Sequence, residues 1–451
     1  MSSVRLATAV NKHLLRKLAQ LARTRRITAT QDIVDVHGAV LAANGVHLQA
    51  EHFDALAGSK LKKTIESSLR VENAVDTDLV VQAAQRIIDT SVPVSRILRA
   101  AGATAPLELL AAMTFNDPMR MLLTLVDHDS PHALEHAVSV SLLSLAMAAT
   151  LGLPAAEQRA AGLAGLLHDI GELYIAPAWL EPGKRLAPHE WAQLVVHPRL
   201  GQMLVAELAD YPPSVARAIA EHHERCDGTG YPRQAPGKRI SAAGQAVLVA
   251  EMIAGVLGKD HPLERAELAL KIVPGEHARE LVSAISGALR QEVRHAPAAQ
   301  EEIKGVEGPQ RLHRRIAAAL DLGEEVLAGP GAKSPHSVDM LGQMLARLET
   351  IQRAFISTGL SHDIGLIFDG VMLFEKSVAT REIQWRLRDI ARDLALHSTG
   401  SPDEKALFAG LIGLLDDDSD GPLAHEAKDA PAPKLAARLP ASFAGSLSYA
   451  S

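Results

Sequence analysis

The chain of 451 residues holds a single cysteine, Cys226, so an internal disulfide is excluded and a reducing, cytoplasmic compartment is expected. It also lacks an excess of basic charge. At a net charge of −7 it has no general surface for a nucleic-acid polymer or an anionic membrane, and a small anionic ligand needs a local positive site. The N-terminus has no apolar signal core, and no run of about 18 apolar residues is read elsewhere, so neither secretion nor a membrane span is expected.

What is present is enough apolar character, 47% of residues, to bury several cores, and a length that implies two or three domains. Lys12, Arg16, Lys17, Arg23, Arg25 and Arg26 interleave with Leu14, Leu15, Leu18 and Leu21, the pattern of a basic amphipathic helix with one packed and one solvated face. Between Ile27 and Leu48, β-branched residues alternate with polar ones around His37-Gly38 and Asn44-Gly45, which predicts a small hairpin.

Residues 1–75 therefore read as a small α+β module, and 76–125 as a helical connector punctuated by Pro93 and Pro106. Residues 126–295 read as a central all-helical domain. Residues 296–415 read as a helical region, with helices at Val338–Leu348, Ile351–Ile356 and Ile383–Leu396 and a Gly/Pro-rich loop near Gly329 to Pro335, and it offers a bundle or a homodimer surface. Residues 416–451, with Asp416, Asp417, Asp418 and Asp420 followed by Ala and Pro, have the composition of a disordered tail. The fold expected is mainly α.

Chemistry concentrates in the centre. His132 and His136 lie four apart and share a helix face. A second apolar helix delivers His168 and Asp169 at its end, where adjacent side chains fan apart and a carboxylate can bridge two cations. His197 follows, then His222, His223 and Glu224 run directly into Arg225, Cys226, Asp227, Gly228, Thr229, Gly230, Tyr231 and Pro232. Imidazole with carboxylate suits iron, manganese and zinc, and the lack of a cysteine cluster argues against a structural zinc finger.

Taken together, His136, His168-Asp169-Ile170-Gly171, His197-Pro198-Arg199-Leu200-Gly201 and the His222 to Pro232 stretch resemble the HD-GYP family over roughly Leu123 to Arg294. That family is a branch of the HD metal-dependent phosphohydrolases, and its members typically cleave cyclic di-GMP. The resemblance implies two divalent ions, iron or manganese, one held by His136, His168, Asp169 and Glu251, the other by Asp169, His197, His222 and His223. It places His168, Asp169 and Glu172 at catalytic positions, and gives Asp227, Gly228, Gly230, Tyr231 and Pro232 the substrate side. It implies in-line attack by a hydroxide shared between the metals, yielding linear pGpG and then GMP.

Several positions depart from the family pattern. Glu172 stands where the family carries a lysine near the scissile phosphate. A carboxylate ~4 Å from a phosphate is repelled by roughly 4 kcal/mol at an effective dielectric of 20. Gln245 replaces an arginine, Glu251 replaces an aspartate, and Gly258 to Pro262 replace a basic segment, leaving Lys259 and Arg265 as the candidate phosphate contacts. His132 occupies the place of a glutamate that serves a third metal in some members, so His132 with Glu172 is a candidate for an extra ion. His362-Asp363-Ile364-Gly365 repeats the four-residue signature without its companions and is read as coincidence.

Three functions stay open on these residues. They are a cyclic di-GMP phosphodiesterase, a degenerate domain that keeps metal or nucleotide and signals to a protein partner, and a hydrolase of another small phosphate ester.

Overall fold

The computed structural model describes residues 10–103, 105–130, 132–181, 186–290, 308–329, 334–357, 370–397 and 402–416. The expected tail from 417 onward and the repeat at His362 to Gly365 lie outside the described residues. The chain divides into two compact units, residues 1–267 with 275–293, and residues 268–274 with 294–451.

The first unit begins with α1 (Lys12–Leu21), capped by Asn11, whose Oδ1 accepts from the backbone N–H groups of His13 and Leu14. Its apolar face, Leu14, Leu15, Leu18 and Leu21, is buried as the periodicity predicts, but Lys17 is buried with it. A three-stranded antiparallel sheet follows, in the order β4 (His47–Leu48), β1 (Ile27–Ala29), β5 (Leu69–Val71). In register, Ile27 faces both Leu48 and Val71.

The hairpin expected between Ile27 and Leu48 is nested. The strands β2 (Ile33–Val34) and β3 (Val40–Ala42) pair around His37-Gly38, where the Asp35 carboxylate accepts from the N–H groups of His37 and Ala39. Asn44-Gly45 instead turns the chain into β4, which pairs with β1. The sheet is followed on the chain by α2 (Ala50–Ala55), and the connector forms α3 (Thr77–Thr90), α4 (Val92–Ala100), α5 (Pro106–Ala111) and α6 (Asp117–Asp129).

The helices that position the site are α7 (Ala133–Thr150), α8 (Ala155–Leu167), α9 (Pro188–Leu194), α10 (His197–Leu208), α11 (Pro213–Glu221) and α12 (Ala242–Ala254), followed by α13 (Pro262–Lys271) and α14 (Arg279–Arg290). Every residue of α7 from Ala137 to Ala148 is buried, as befits a helix that is apolar on all faces. It packs against α8 and α12. Its 18 residues are long and apolar enough by composition to cross a membrane, but most are buried inside the fold, as in a core helix. Ser139, Ser141 and Ser144 interrupt the apolar run, yet they are buried with it, and Ser141 donates to the Gly162 carbonyl. Among the described residues no other helix meets that test.

The second unit contains α15 (Pro309–Ala328), α16 (Pro335–Ser357), α17 (Gly370–His397) and α18 (Pro402–Leu415) around a core that includes Leu312, Ile316, Leu348, Phe355, Leu387 and Phe408. The two helices expected at Val338–Leu348 and Ile351–Ile356 are one continuous α16, because Glu349 and Thr350 continue the helix and keep Leu348 and Ile351 on its buried face.

Candidate metal centre

The end of α8 delivers His168 as its C-cap, and a 3-10 turn, Ile170–Tyr174, follows Asp169. His197 opens α10, and His222 caps α11. His136 projects from α7 and Glu251 from α12. From these five elements two groups of potential ligand atoms converge, Asp169 with His197, His222 and His223, and His136 with His168 and Glu251, the atoms of each group within 4.8 Å of one another.

The hydrogen bonds aim the rings. His168 Nδ1 lies 2.8 Å from the Gly165 carbonyl, His197 Nδ1 2.9 Å from that of Leu194, and His222 Nδ1 2.6 Å from that of Ile219. A carbonyl can only accept, so each Nδ1–H donates to it and the Nε2 turned inward is the atom left to bind a metal. Two such atoms, on His197 and His222, then face each other at 3.2 Å. That of His168 faces Asp169 Oδ2 at 2.9 Å and Glu251 Oε2 at 3.2 Å. His168 Nε2, Asp169 Oδ1 and Glu251 Oε2 are buried without hydrogen-bond partners. Buried lone pairs turned on one another are costly unless a cation lies between them, so the residues fit a metal.

Asp169 links the two groups. Its Oδ2 faces His168, and its Oδ1 lies 3.4 Å from His197 Nε2 and 3.5 Å from His222 Nε2. Glu251, one methylene longer than the family's aspartate, still brings Oε2 to 3.1 Å from His136 Nε2.

Burial lowers the pKa of His222 and, with neighbouring His222 and His197, lowers that of His223 much further, holding both rings neutral. Burial alone would do the same to His168, but Asp169 and Glu251 outweigh it and carry His168 well above its ordinary value. For Asp169, burial pushes the carboxyl up, but His168 more than offsets it and the net shift is well downward. In Glu251 the same opposition, against His168 and His136, also ends in a lowered value.

A proton therefore competes for His168. Mn²⁺ affinity is expected to fall as pH drops through the range in which His168 takes up that proton, and binding is expected to release protons. Calorimetry in two buffers of different ionisation enthalpy checks this; identical heats would contradict it.

A cavity of about 290 Å³ opens on one side of the centre, with Asp129, His132, His136, His168, Asp169 and Glu172 in its wall. Among the described residues, none that lines it is Lys or Arg. Glu172 thus faces the same space as the ligands, and burial, reinforced by Asp169, pushes its carboxyl up to about 7. His132 stands apart from both ligand groups, its side chain 87% exposed beside Glu135.

Lys259 is exposed, and Arg265 is buried with its Nε donating to the Asp260 carbonyl; neither lines this cavity. Gln245 turns to the backbone, donating to the carbonyls of Gly237 and Ile240.

On the other side, the Asp227 to Pro232 loop folds back on the histidines. Tyr231 donates its N–H to the His223 carbonyl, and its ring stacks on His223 at 4.6 Å with Trp191 edge-on at 5.5 Å. Asp227 Oδ1 accepts from both the N–H and the hydroxyl of Thr229, and Gly228 takes φ +82°. A Cβ on Gly230 would lie 2.3 Å from the Glu224 backbone, so only glycine permits this approach.

Sequence reasoning gave no role to the carboxylates bracketing the histidine pair. Glu224, 0% exposed, accepts from the N–H groups of Arg233 and Ala235, and Glu221, 0% exposed, accepts from Ser241, Arg217 and Arg233. They hold the loop rather than a metal. The signal was their position, since carboxylates flanking buried ligands need partners of their own.

A helical domain with this paired centre defines a class, the HD metal-dependent proteins. The HD domain family matches residues 120–270, and the motifs by which the chain resembles the HD-GYP family fall within that segment. It is similar to a cyclic di-GMP phosphodiesterase of Pseudomonas aeruginosa, 40% identical over 24% of this chain and 26% of that one. A 3'3'-cGAMP-specific phosphodiesterase of Vibrio cholerae is 31% identical over 32% of this chain and 30% of its own. A cyclic di-GMP phosphodiesterase response regulator of Xanthomonas campestris is 36% identical over 25% and 30%. The chain thus spans less than a third of the length of these relatives.

Proposed function

We propose that the chain is a metal-dependent phosphodiesterase that opens a cyclic dinucleotide, cyclic di-GMP or 3'3'-cGAMP, to its linear form, with pGpG and then GMP as products from cyclic di-GMP. The observation that carries this is the pair of inward-facing ligand groups joined through Asp169, beside an open cavity. Similarity to phosphodiesterases of both dinucleotides supports the substrate class. The ligand set suits two ions, iron or manganese. Bound there, they would supply a nucleophile at neutral pH and offset phosphate charge. A cytoplasmic setting belongs to the same proposal, since the one cysteine leaves no internal disulfide.

The chain's own residues do the rest. His136, His168, His197, His222, His223, Asp169 and Glu251 would hold the ions, and the Glu221 and Glu224 contacts fix the loop that packs Tyr231 against His223. Burial and the Asp169 charge raise the Glu172 carboxyl without metal, but ions bound beside Asp169 would draw it back down, so a carboxylate would face the phosphate.

Glu172→Gln removes a carboxyl from the cavity wall and is expected to raise kcat/KM roughly tenfold at neutral pH, about 1.4 kcal/mol of relieved repulsion. Steady-state kinetics of the two metal-loaded proteins check it, and an unchanged or lowered kcat/KM would refute the assignment.

A second reading is a degenerate domain that keeps its metals and signals through its helices to a protein partner. The cavity wall favours it, its described residues including Asp129 and Glu172 but no Lys or Arg. Anaerobically purified protein, loaded with iron or manganese and given cyclic di-GMP and 3'3'-cGAMP in parallel, separates the two. Linear products establish the enzyme and its preference, whereas no turnover by metal-replete protein defeats the first reading and leaves the degenerate domain or a hydrolase of another phosphate ester.

A further inference from the structure

The turn that carries Asp169 and Glu172 ends at Tyr174, and the N-terminal module grips that residue twice. The Tyr174 carbonyl accepts from Asn11 Nδ2 at 3.1 Å. Its hydroxyl donates to the carboxylate of Glu66, which is only 5% exposed. Asn11 is at the same time the cap of α1, so one side chain starts the helix and holds the turn. On the next turns of α1, Lys17 is 3% exposed and pairs with Asp129, a wall of the cavity. The contacts join residues 163, 108 and 112 positions apart.

Burying an ammonium and a carboxylate is costly unless each is matched, and an isolated 3-10 turn of five residues has little stability of its own. The energetic interest of these contacts is therefore what they hold in place. Asp169 must present one oxygen to His168 and the other to His197 and His222, which a loose turn cannot do at low cost.

We propose that Asn11, Lys17 and Glu66 are positioning residues for the metal centre. Through Tyr174 and Asp129, the N-terminal module holds the Asp169 turn and the cavity wall in their metal-binding arrangement, so that the docking of the module sets metal affinity. This rests on the metal-centre reading, and not on the identity of the substrate.

The test is a Mn²⁺ titration of the full chain, followed by the electron paramagnetic resonance of free ion, together with hydrogen exchange over residues 168–176. Asn11→Asp keeps the acceptor that caps α1 and loses the donor to Tyr174. Tyr174→Phe loses the hydroxyl, and Lys17→Met the charge. Each is expected to weaken Mn²⁺ binding about tenfold, the lower end of what contacts behind a ligand contribute, and to speed exchange in the turn. Glu66→Gln, which still accepts from Tyr174, and Lys17→Arg are expected to restore binding to within about twofold of the native chain.

Native affinity and exchange in Asn11→Asp, Tyr174→Phe and Lys17→Met would overturn the proposal, even if they melted earlier, since that marks ordinary packing contacts. Asn11→Asp touches no core side chain and stays informative if Tyr174→Phe fails to fold. A native protein that binds Mn²⁺ but turns over no cyclic dinucleotide would defeat the functional proposal and leave this titration intact.

Discussion

Asp169→Ala is expected to lower cyclic dinucleotide turnover by about a thousandfold or more, equivalent to roughly 4 kcal/mol of transition-state stabilisation, and to remove most of the bound metal. The size of the effect follows from geometry. One oxygen of Asp169 faces His168 while the other faces His197 and His222, so a single truncation opens both ligand groups. It also leaves the raised proton affinity of His168 with Glu251 as its remaining carboxylate neighbour. Product chromatography and elemental analysis on the same preparation read the two losses. If metal content were retained in full while turnover vanished, Asp169 would be acting on the substrate and not as the shared ligand.

Gly171→Ala is expected to be nearly as damaging without touching a ligand. A Cβ there would lie 2.1 Å from the His197 carbonyl oxygen and 3.0 Å from the Gly201 nitrogen, both main-chain atoms that no rotamer change can move. The start of α10 must shift, taking His197 away from Asp169. The expected cost is roughly 3 kcal/mol in stability, the upper end for overpacking, with metal affinity falling alongside. Gly258→Ala is the control, since nothing lies within 4 Å of its added methyl. Thermal melts of the two variants decide the matter, and equal melting temperatures would show that the turn yields freely.

The site residues were legible because each is a distinctive residue type in a local pattern. His168-Asp169 at a helix end and His222-His223 before a glycine-rich loop announce themselves, and the structure gathers them with His136, His197 and Glu251. Glu251 itself was reached only through the family resemblance, as a lone glutamate on an apolar helix gives no signal of its own. What the pattern did not show depends on contacts between distant residues. Lys17 reads as one more cation on a solvated face and is buried because Asp129 meets it. The strand Leu69–Val71 has no hairpin partner nearby and forms by pairing with β1, some forty residues earlier. Glu224 sits next to the histidines, but its role appears only once Arg233 and Ala235 fold back to it.

The mainly helical architecture followed from periodicity, which is strongest where helices have one wet face. It was weakest for α7, whose serines look polar in sequence and pack as core.

His168 and His222 are the C-caps of α8 and α11, so these two helices end at the same small volume. The last carbonyls of a helix carry partial negative charge, roughly half a unit at each terminus. Helix α10 opens at the same place with His197, and its N-terminus opposes a cation. Two helix ends thus favour the ion and one resists it, leaving a smaller net attraction added to that of Asp169 and Glu251. That contribution has no side chain to mutate and no proton to lose. As the solution is acidified and the histidines take up protons, this part of the field persists, anchored in the direction in which three helices were laid down.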